Sequence, residues 1–501
     1  MKLSSLIRHI PCVQLAGQTD PDIADIQFDS RKAGKGTLFV CVPGLRTDGH
    51  LYAREAVSRG AAALLVERPV DIAGTDAAVI QVSDIRNVMA RLAVAFYGDP
   101  TRELKVIGVT GTNGKTTTTH MIRHLLEHAG RPAGIIGTLG VAYGDFEEKT
   151  ANTTPESVDL QRYMRLMADR GAAYAVIEAS SQALAMGRMN GCRRHLAVFT
   201  NLTRDHLDYH STLKAYADCK AKLFDDSLSP GAGHPIAVVN ADDPASGLMV
   251  RASRAEVIRY GIRRRADVRA VGIRSTDKGM AFAIAAANET FEVELPLFGM
   301  HNVYNALAAS AAALREGLSP AEIREALSGF RGVKGRYQFV RAGQPYRVIV
   351  DYAHNPDGLK KLLQTAREHG GKLISVVGCE GDKDKGKRPV MARIAAQYSD
   401  RTIFTTDNPH SEDPIRILSD MYKGLDHASC RSKAVIIPDR REAIACALDT
   451  ARQDPDYSVV IAGKGHETRQ WWHGTSIPFD DAEVAAETIR RLEAENAAVV
   501  K

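Results

Sequence analysis

Short apolar, β-branched runs recur along the chain, and most are followed by a polar or glycine-rich turn and then by apolar residues at helical spacing. Thr37–Val42, Ala61–Val66, Leu104–Val109, Ala175–Ala179, Leu196–Thr200 and Ile236–Asn240 read as buried strands. Tyr346–Asp351, Leu373–Gly378, Thr402–Thr405 and Ser458–Ala462 form a second such series. Helical spacing marks Tyr52–Arg59, the stretch carrying Met121, Ile122, Leu125 and Leu126, the Ala/Leu-rich Asn302–Leu314, and Ala482–Ala494. Strands separated by helices predict an α/β chain with parallel, doubly wound sheets. Three units are expected: a small α/β unit over 1–98, a central one over 99–336 and a third over 337–501. The turn-rich Tyr97–Thr101 serves as the first linker.

The central unit opens on the most informative stretch. A strand ending at Val109 runs into Thr110–Gly114, and a helix starts at Lys115. Strand, glycine-rich turn and helix N-terminus make an anion cradle, because bare backbone N–H groups approach phosphate oxygens and the helix dipole favours the charge. Lys115 adds a point charge, and the Thr116 hydroxyl is placed for Mg²⁺. The general P-loop spacing would put glycine at 109, where this chain has Val109; its glycines fall at 108, 111 and 114. Nucleotide binding is the reading that results.

Composition narrows the class. The 501 residues exceed one ordinary core, and contents of 44% hydrophobic and 25% charged residues are those of a soluble globular protein. The net charge of +5 is spread thinly, and the clusters Arg263–Arg265 and Lys383–Arg388 lack interleaved aromatics, which argues against nucleic acid. Seven scattered cysteines without a C-x-x-C point to reduced thiols in the cytosol. Charges at Lys2, Arg8 and His9 interrupt the N-terminal apolar residues, and no run approaches a membrane span, so a cytoplasmic protein is expected.

Polar residues gather at the ends of the central strands. Glu178 ends one, with Ser180 and Ser181 behind it, and a carboxylate there would complete a magnesium oxygen shell. Asp205, His206, Asp208 and His210 follow another strand at a spacing that does not suit a zinc protease. In order along the chain stand Gly111–Thr117 (GTNGKTT), Asn201–His210 (NLTRDHLDYH), Asn240–Asp243 (NADD), Gly335–Arg336, Asp351–His354 (DYAH) and Gly463–Glu467 (GKGHE).

These six motifs resemble those of the Mur ligases of bacterial peptidoglycan synthesis, and within them the MurE type, over about Asp29–Asp481. The resemblance implies an N-terminal UDP-binding domain, a central ATPase domain and a C-terminal Rossmann-like domain for the incoming amino acid. It also implies the reaction. ATP phosphorylates the terminal carboxylate of UDP-MurNAc-L-Ala-D-Glu, and the amine of a diamino acid attacks the acyl phosphate, giving an amide, ADP and phosphate. Carried onto this sequence, Gly111, Thr112, Asn113, Gly114, Lys115, Thr116, Thr117, Asn302, Arg336 and Asp351 would hold ATP. Thr116, Glu178 and His206 would hold Mg²⁺, with Lys220, if carbamylated, for a second ion. Lys115, His206 and Lys220 would be the catalytic set. Ser30, Leu45, Arg46 and Thr47 would take the UDP end, and Asn152, Thr153, Thr154, Ser181 and Arg188 the muramoyl-dipeptide. Lys383, Asp407, Asn408, His410, Gly463 and Glu467 would form the amino-acid pocket, and a monomer is implied.

The pocket is also where the chain departs from the family pattern. Asp407–His410 stands where diaminopimelate-adding members carry D-N-P-R, and Gly381–Asp384 reads G-D-K-D where they carry G-D-R-D. Both changes replace a rigid bidentate fork for carboxylates. Gln182, Asn355 and Glu380 stand where His, Thr and Gly are usual. Two readings follow: drift that still accepts meso-diaminopimelate, which is favoured, or a relative attaching another amino acid such as L-lysine or ornithine. A folylpolyglutamate synthetase is disfavoured by the Asp29–Arg31 and Gly44–His50 loops, and a non-catalytic UDP-sugar-binding module by the intact Lys115, Thr116, Glu178, His206 and Lys220.

Overall fold

A computed structural model describes residues 1–8, 10, 14–16, 20–44, 47–229, 231, 233–287, 289–425 and 428–499. Three α/β units are built on separate sheets. The first sheet has the order Gln14–Ala16, Ala78–Gln81, Ala61–Val66, Thr37–Val40, Asp25–Gln27, parallel except for its first strand. Thr37–Val40 is buried throughout and Ala61–Val66 nearly so, as befits central parallel strands covered on both faces. Helix Ile85–Phe96, capped by Asp84, turns Ile85, Val88, Met89 and Leu92 into that core.

The central sheet has eleven strands. Its middle is parallel: Val257–Gly261, Ile236–Asn240, Leu196–Phe199, Lys105–Thr110, Tyr174–Glu178 and Ala133–Gly137. The expectation of a parallel sheet fails at the edges. Gly140–Tyr143 and Phe146–Glu148 add antiparallel strands on one side; Met280–Ala286 and Glu289–Leu295 do so on the other, beyond Val268–Ser275. A bulge between Val271 and Arg274 shifts the register there and erases the two-residue alternation by which a strand is read from sequence. The helix foreseen at Asn302–Leu314 runs Met300–Arg315 and packs against Lys115–His128 through its many alanines.

The third sheet has the order Gln338–Phe339, Val348–Asp351, Tyr457–Ala462, Lys372–Val377, Arg401–Phe404, Ala434–Ile436, with only its first strand antiparallel. The four foreseen strands are its centre. The two short outer strands and the hairpin Arg469–Trp472/Thr475–Pro478 were not foreseen. The last helix begins at Asp481 and reaches Val499, past the expected Ala494.

At the amino ends of the central strands lies a closed charge cluster. Glu316, its side chain 1% exposed, accepts from Lys105 (2.8 Å), the Tyr174 hydroxyl (2.7 Å) and His195 (2.5 Å). Burial opposes its ionisation, but these donors outweigh burial and hold its carboxyl down at about 2. Among the described residues no helix is long and apolar enough to cross a membrane, and six cysteines are free thiols.

Candidate active site

The carboxyl ends of the central strands face the third unit, and loops from both line a cavity of about 470 Å³. Such strand ends are where open α/β sheets bind ligands. The phosphate loop forms its floor. Gly114 has φ +86°, and a Cβ there would stand 2.4 Å from Asn305 Oδ1, so only glycine fits. Asn305 in turn accepts from the Thr118 hydroxyl (3.3 Å) and donates to Asn302 Oδ1 (3.1 Å). Sequence reasoning missed Asn305; the signal available was two asparagines at i, i+3 in an alanine-rich helix.

Two lysines converge on one carbonyl. Lys115 Nζ donates to Gly111 O and Thr112 O (both 2.9 Å), and Lys220 Nζ to Gly111 O (2.8 Å). Lys220 is 1% exposed and lies over the Tyr216 ring, its Nζ 4.3 Å from the centroid. Burial first, and then Lys115, push its pKa well below the lysine range; burial also lowers that of Lys115, against the pull of Glu178 and Asp205.

Glu178 is fully buried and well connected, contrary to a solvent-facing strand end. It accepts from the Thr116 hydroxyl (2.9 Å), Thr138 N (2.8 Å) and the Thr138 hydroxyl (3.2 Å). Thr154 is also fully buried, and its hydroxyl donates to Glu178 O (2.6 Å), so it positions that strand end. Arg336 Nη2 donates to the Thr116 hydroxyl (3.1 Å), and the guanidinium lies over Tyr352 at 4.5 Å. Its buried Nε has no partner among the described residues. Asp351 is held by Tyr337 N (2.6 Å) and Ala353 N (2.8 Å), and burial raises its pKa against Arg336.

Asn113 was expected at ATP and Asn355 was noted as a departure, but their role in tying the loop to the third unit was not foreseen. Asn113 Nδ2 donates to Asp357 (2.8 Å), and Asn355 Nδ2 donates to Asn113 Oδ1 (3.1 Å) and Asp205 (3.0 Å). Asn355 also caps helix Pro356–Arg367 by accepting from Gly358 N. Burial disfavours the Asp205 charge, but His206, His354 and Lys387 overcome it and hold the carboxyl at about 2. Burial, then Lys387, lowers His354 to about 4.

Of the expected ligand residues, Asn152, Thr153, Ser181, Arg188, His206 and Asn302 line the same cavity. His210 shares a 2.9 Å hydrogen bond with the Ser181 hydroxyl, and Arg188 Nε donates to Glu156 (2.9 Å). His206 lies 3.9 Å from Asp205 and shares no hydrogen bond with Glu178. The proposed uridine loop is not brought here: Ser30 donates to Glu55 and Thr47 to Tyr52 on the first unit, while Leu45 and Arg46 lie outside the described residues. The fit to magnesium rests on Thr116 and Glu178. Among the described residues no group of three His, Cys, Asp or Glu is placed to hold a metal. A two-oxygen protein set suits Mg²⁺, which keeps waters and takes phosphate oxygens.

The second set gathers at the carboxyl ends of the third sheet. Asn408 Nδ2 donates to Glu467 (2.8 Å), and Lys464 Nζ to Asn408 Oδ1 (3.0 Å) and Glu467 (2.9 Å). Asp407 Oδ2 lies against Gly463. His410 has φ +52°, and its backbone pairs with Trp471 and His473 of the hairpin. Lys383 lines the main cavity.

A phosphate loop facing a second α/β sheet across a shared cleft defines a nucleotide-using enzyme of three α/β domains. Residues 22–97 match the Mur ligase family catalytic domain, 109–313 the Mur ligase middle domain and 335–465 the Mur ligase glutamate ligase domain. The chain belongs to the Mur ligase family, a family of ATP-dependent amide ligases. It is 46% identical over 497 residues to the UDP-N-acetylmuramoyl-L-alanyl-D-glutamate--2,6-diaminopimelate ligase of Bacillus licheniformis, covering 98% of this chain and 100% of that protein. Identity is also 46% to the ligase of the same name from Geobacillus kaustophilus, covering 98% and 99%. A solved structure of a ligase so named superposes with TM-score 0.64 at 34% identity, over 94% of this chain and 95% of that one.

Proposed function

We propose that the protein joins meso-diaminopimelate to UDP-MurNAc-L-Ala-D-Glu, with ATP consumed to ADP and phosphate, in peptidoglycan precursor synthesis. The observation that carries this reading is one cleft holding the Lys115 phosphate loop on one wall and the Arg336–Asp351 segment of the third unit on the other. Similarity to diaminopimelate ligases over nearly the full length supports the substrate.

Phosphoryl transfer asks little covalent chemistry of a protein; it asks for positioned positive charge. Lys115 and the loop N–H groups would hold the β- and γ-phosphates, and Arg336, preorganised on Tyr352, would stabilise charge on the transferring group. Mg²⁺, when bound, supplies charge neutralisation between phosphate oxygens, and Thr116 and Glu178 would hold it. Lys220, whose amine burial pushes well below the usual lysine range, is suited to carbamylation, which would make it an anionic oxygen ligand. The acceptor carboxylate would lie along Asn152, Thr153, Ser181 and Arg188. Closure of the third unit through Asn113 and Asn355 excludes water from the acyl phosphate. Asp407, Asn408, Gly463, Glu467, Lys383 and His410 would hold the incoming amino acid, in units bounded at about 98 and 336.

The test is purified protein with ATP, Mg²⁺ and UDP-MurNAc-L-Ala-D-Glu, run separately with meso-diaminopimelate, L-lysine and L-ornithine, reading phosphate and product mass. Diaminopimelate-dependent product is expected. Product only with another amino acid would show that Lys383 and His410 no longer hold the distal carboxylate. No product from folded protein would overturn the ligase reading.

A further inference from the structure

Helix Ser157–Asp169 begins without the cap that other helices of the chain have. Asp84, Ser319 and Asn355 each accept a hydrogen bond from the first turn of the helix they open, whereas Glu156 stands at the N-cap position and makes no such bond. Its carboxylate is engaged elsewhere. Oε1 accepts from Arg188 Nε at 2.9 Å, and Oε2 accepts from Arg86 Nη1 at 3.2 Å. A position that breaks a local rule to serve distant partners is where function is to be sought.

The two arginines belong to different units. Arg188 lines the active-site cavity with Asn152, Thr153 and Ser181. Its Nη1 donates to Thr154 O at 3.0 Å, while Nη2 meets the Met186 thioether, a weak acceptor, at 3.5 Å. The side chains of Arg188 and Glu156 are 11% and 13% exposed, so water and salt screen the pair little. Arg86 stands on helix Ile85–Phe96 of the first unit. Its Nη2 donates to Pro43 O at 3.1 Å, and Pro43 pairs with Asp48 across the base of the proposed uridine loop. The same helix abuts the turn after Arg188, where a Cβ on Gly191 would stand 2.6 Å from Val94 Cγ2. Val158, just beyond Glu156, is buried in the core of the first unit. Two guanidinium groups share one carboxylate here, so one positive charge is left over.

We propose that Glu156 is a positioning residue for acceptor binding: it fixes the aim of Arg188 and, through Arg86, ties that aim to the loop base of the first unit. The proposal rests on the reading of Arg188 as part of the acceptor grip. An arginine side chain is long and rotamer-rich, and its two strong bonds fix the plane of the fork. The remaining protons are then preorganised for an anionic group, with the ordering cost met before the ligand arrives. The acceptor is thereby read at two ends by groups that share one carboxylate.

The test is calorimetric titration of the full chain with UDP-MurNAc-L-Ala-D-Glu and, separately, with UDP. Wild type, Glu156→Asp, Arg86→Met, Arg188→Met and the double variant Glu156→Asp/Arg188→Met are compared, with thermal melting of each. Aspartate keeps the charge and is a good N-cap, so the melting temperature should hold or rise while Arg188 loses its partner. Affinity for the nucleotide-dipeptide should fall about tenfold in Glu156→Asp, the size of one lost charge-assisted hydrogen bond, with UDP binding unchanged. Arg86→Met should weaken the nucleotide-dipeptide severalfold, and Glu156→Asp should add nothing beside Arg188→Met. An equal loss for UDP, a loss that persists beside Arg188→Met, a melting temperature that falls with the affinity, no effect of Arg86→Met, or no nucleotide-dipeptide binding by the wild type would each overturn the proposal. Turnover measured alongside separates the two readings: Glu156-dependent binding without product would leave the proposal standing and the ligase reading fallen, and product with binding indifferent to Glu156→Asp the reverse.

Discussion

The phosphate-loop floor and the amino-acid pocket are built alike, at the carboxyl ends of parallel strands, and are charged in opposite senses. In the first, the half-buried Lys115 and the buried Lys220 bond backbone carbonyls, with Glu178 occupied by threonines. In the second, the carboxylates Asp407 and Glu467 are set about one hydrogen-bonded lysine, Lys464. Each site presents charge complementary to that of its proposed ligand. The Glu316 cluster makes the contrast plain, because its carboxylate is fully matched by Lys105, His195 and Tyr174 and awaits nothing. An unbalanced cluster marks a binding site; a balanced one holds the fold.

The hardest test of this contrast removes the floor charges. Lys115→Ala and Lys220→Ala should each lower kcat by roughly 10²–10³, as expected when a preorganised group is lost, while the melting temperature holds or rises because a desolvated amine is gone. A melting temperature lowered by many degrees would make these lysines structural. The balanced cluster should behave oppositely. Glu316→Gln should cost of order 3 kcal/mol of stability at neutral pH, with kcat nearly unchanged. The folded carboxyl is depressed from 4.5 to about 2, so its contribution is complete above pH 4.5 and is lost as pH falls toward 2. Denaturant melts of the two proteins should therefore converge across that window.

Arg336→Lys probes geometry at constant charge. Loss of the planar fork over Tyr352 should lower kcat/KM by about 10–100-fold, and a lysine that worked as well would show that only charge matters there. Smallest is the latch. Asn355→Ala removes two interdomain hydrogen bonds, each worth about 1 kcal/mol. A severalfold rise in amino-acid KM, with nucleotide binding little changed, is the expected result by steady-state kinetics.

Much of the central site was legible because its residues are local: the glycine spacing, Lys115 and Thr116 lie in one stretch, and Glu178 ends a strand with a strong apolar run. The α/β class followed from the same alternation. What escaped depends on contacts that sequence does not encode locally. Asn113, expected at the nucleotide, meets Asp357 across 244 residues, and nothing local announces that pairing. Asn305 matters because it abuts Gly114, which only the packed helices reveal. Two of the antiparallel edge strands were hidden by their brevity, whereas Glu289–Leu295 alternates apolar and polar residues and was open to being read. In the third sheet the departures were visible as letters. Their setting depends on neighbours such as Lys464, whose bonds to Asn408 and Glu467 only the folded chain shows.

Asn113 does two jobs with one residue. Its backbone carbonyl accepts from Thr200 and Asn201, fixing the loop under the nucleotide, while its side chain grips the helix that begins at Pro356. The phosphate loop and the third domain therefore share one joint, and a substitution at Asn113 would disturb both at once.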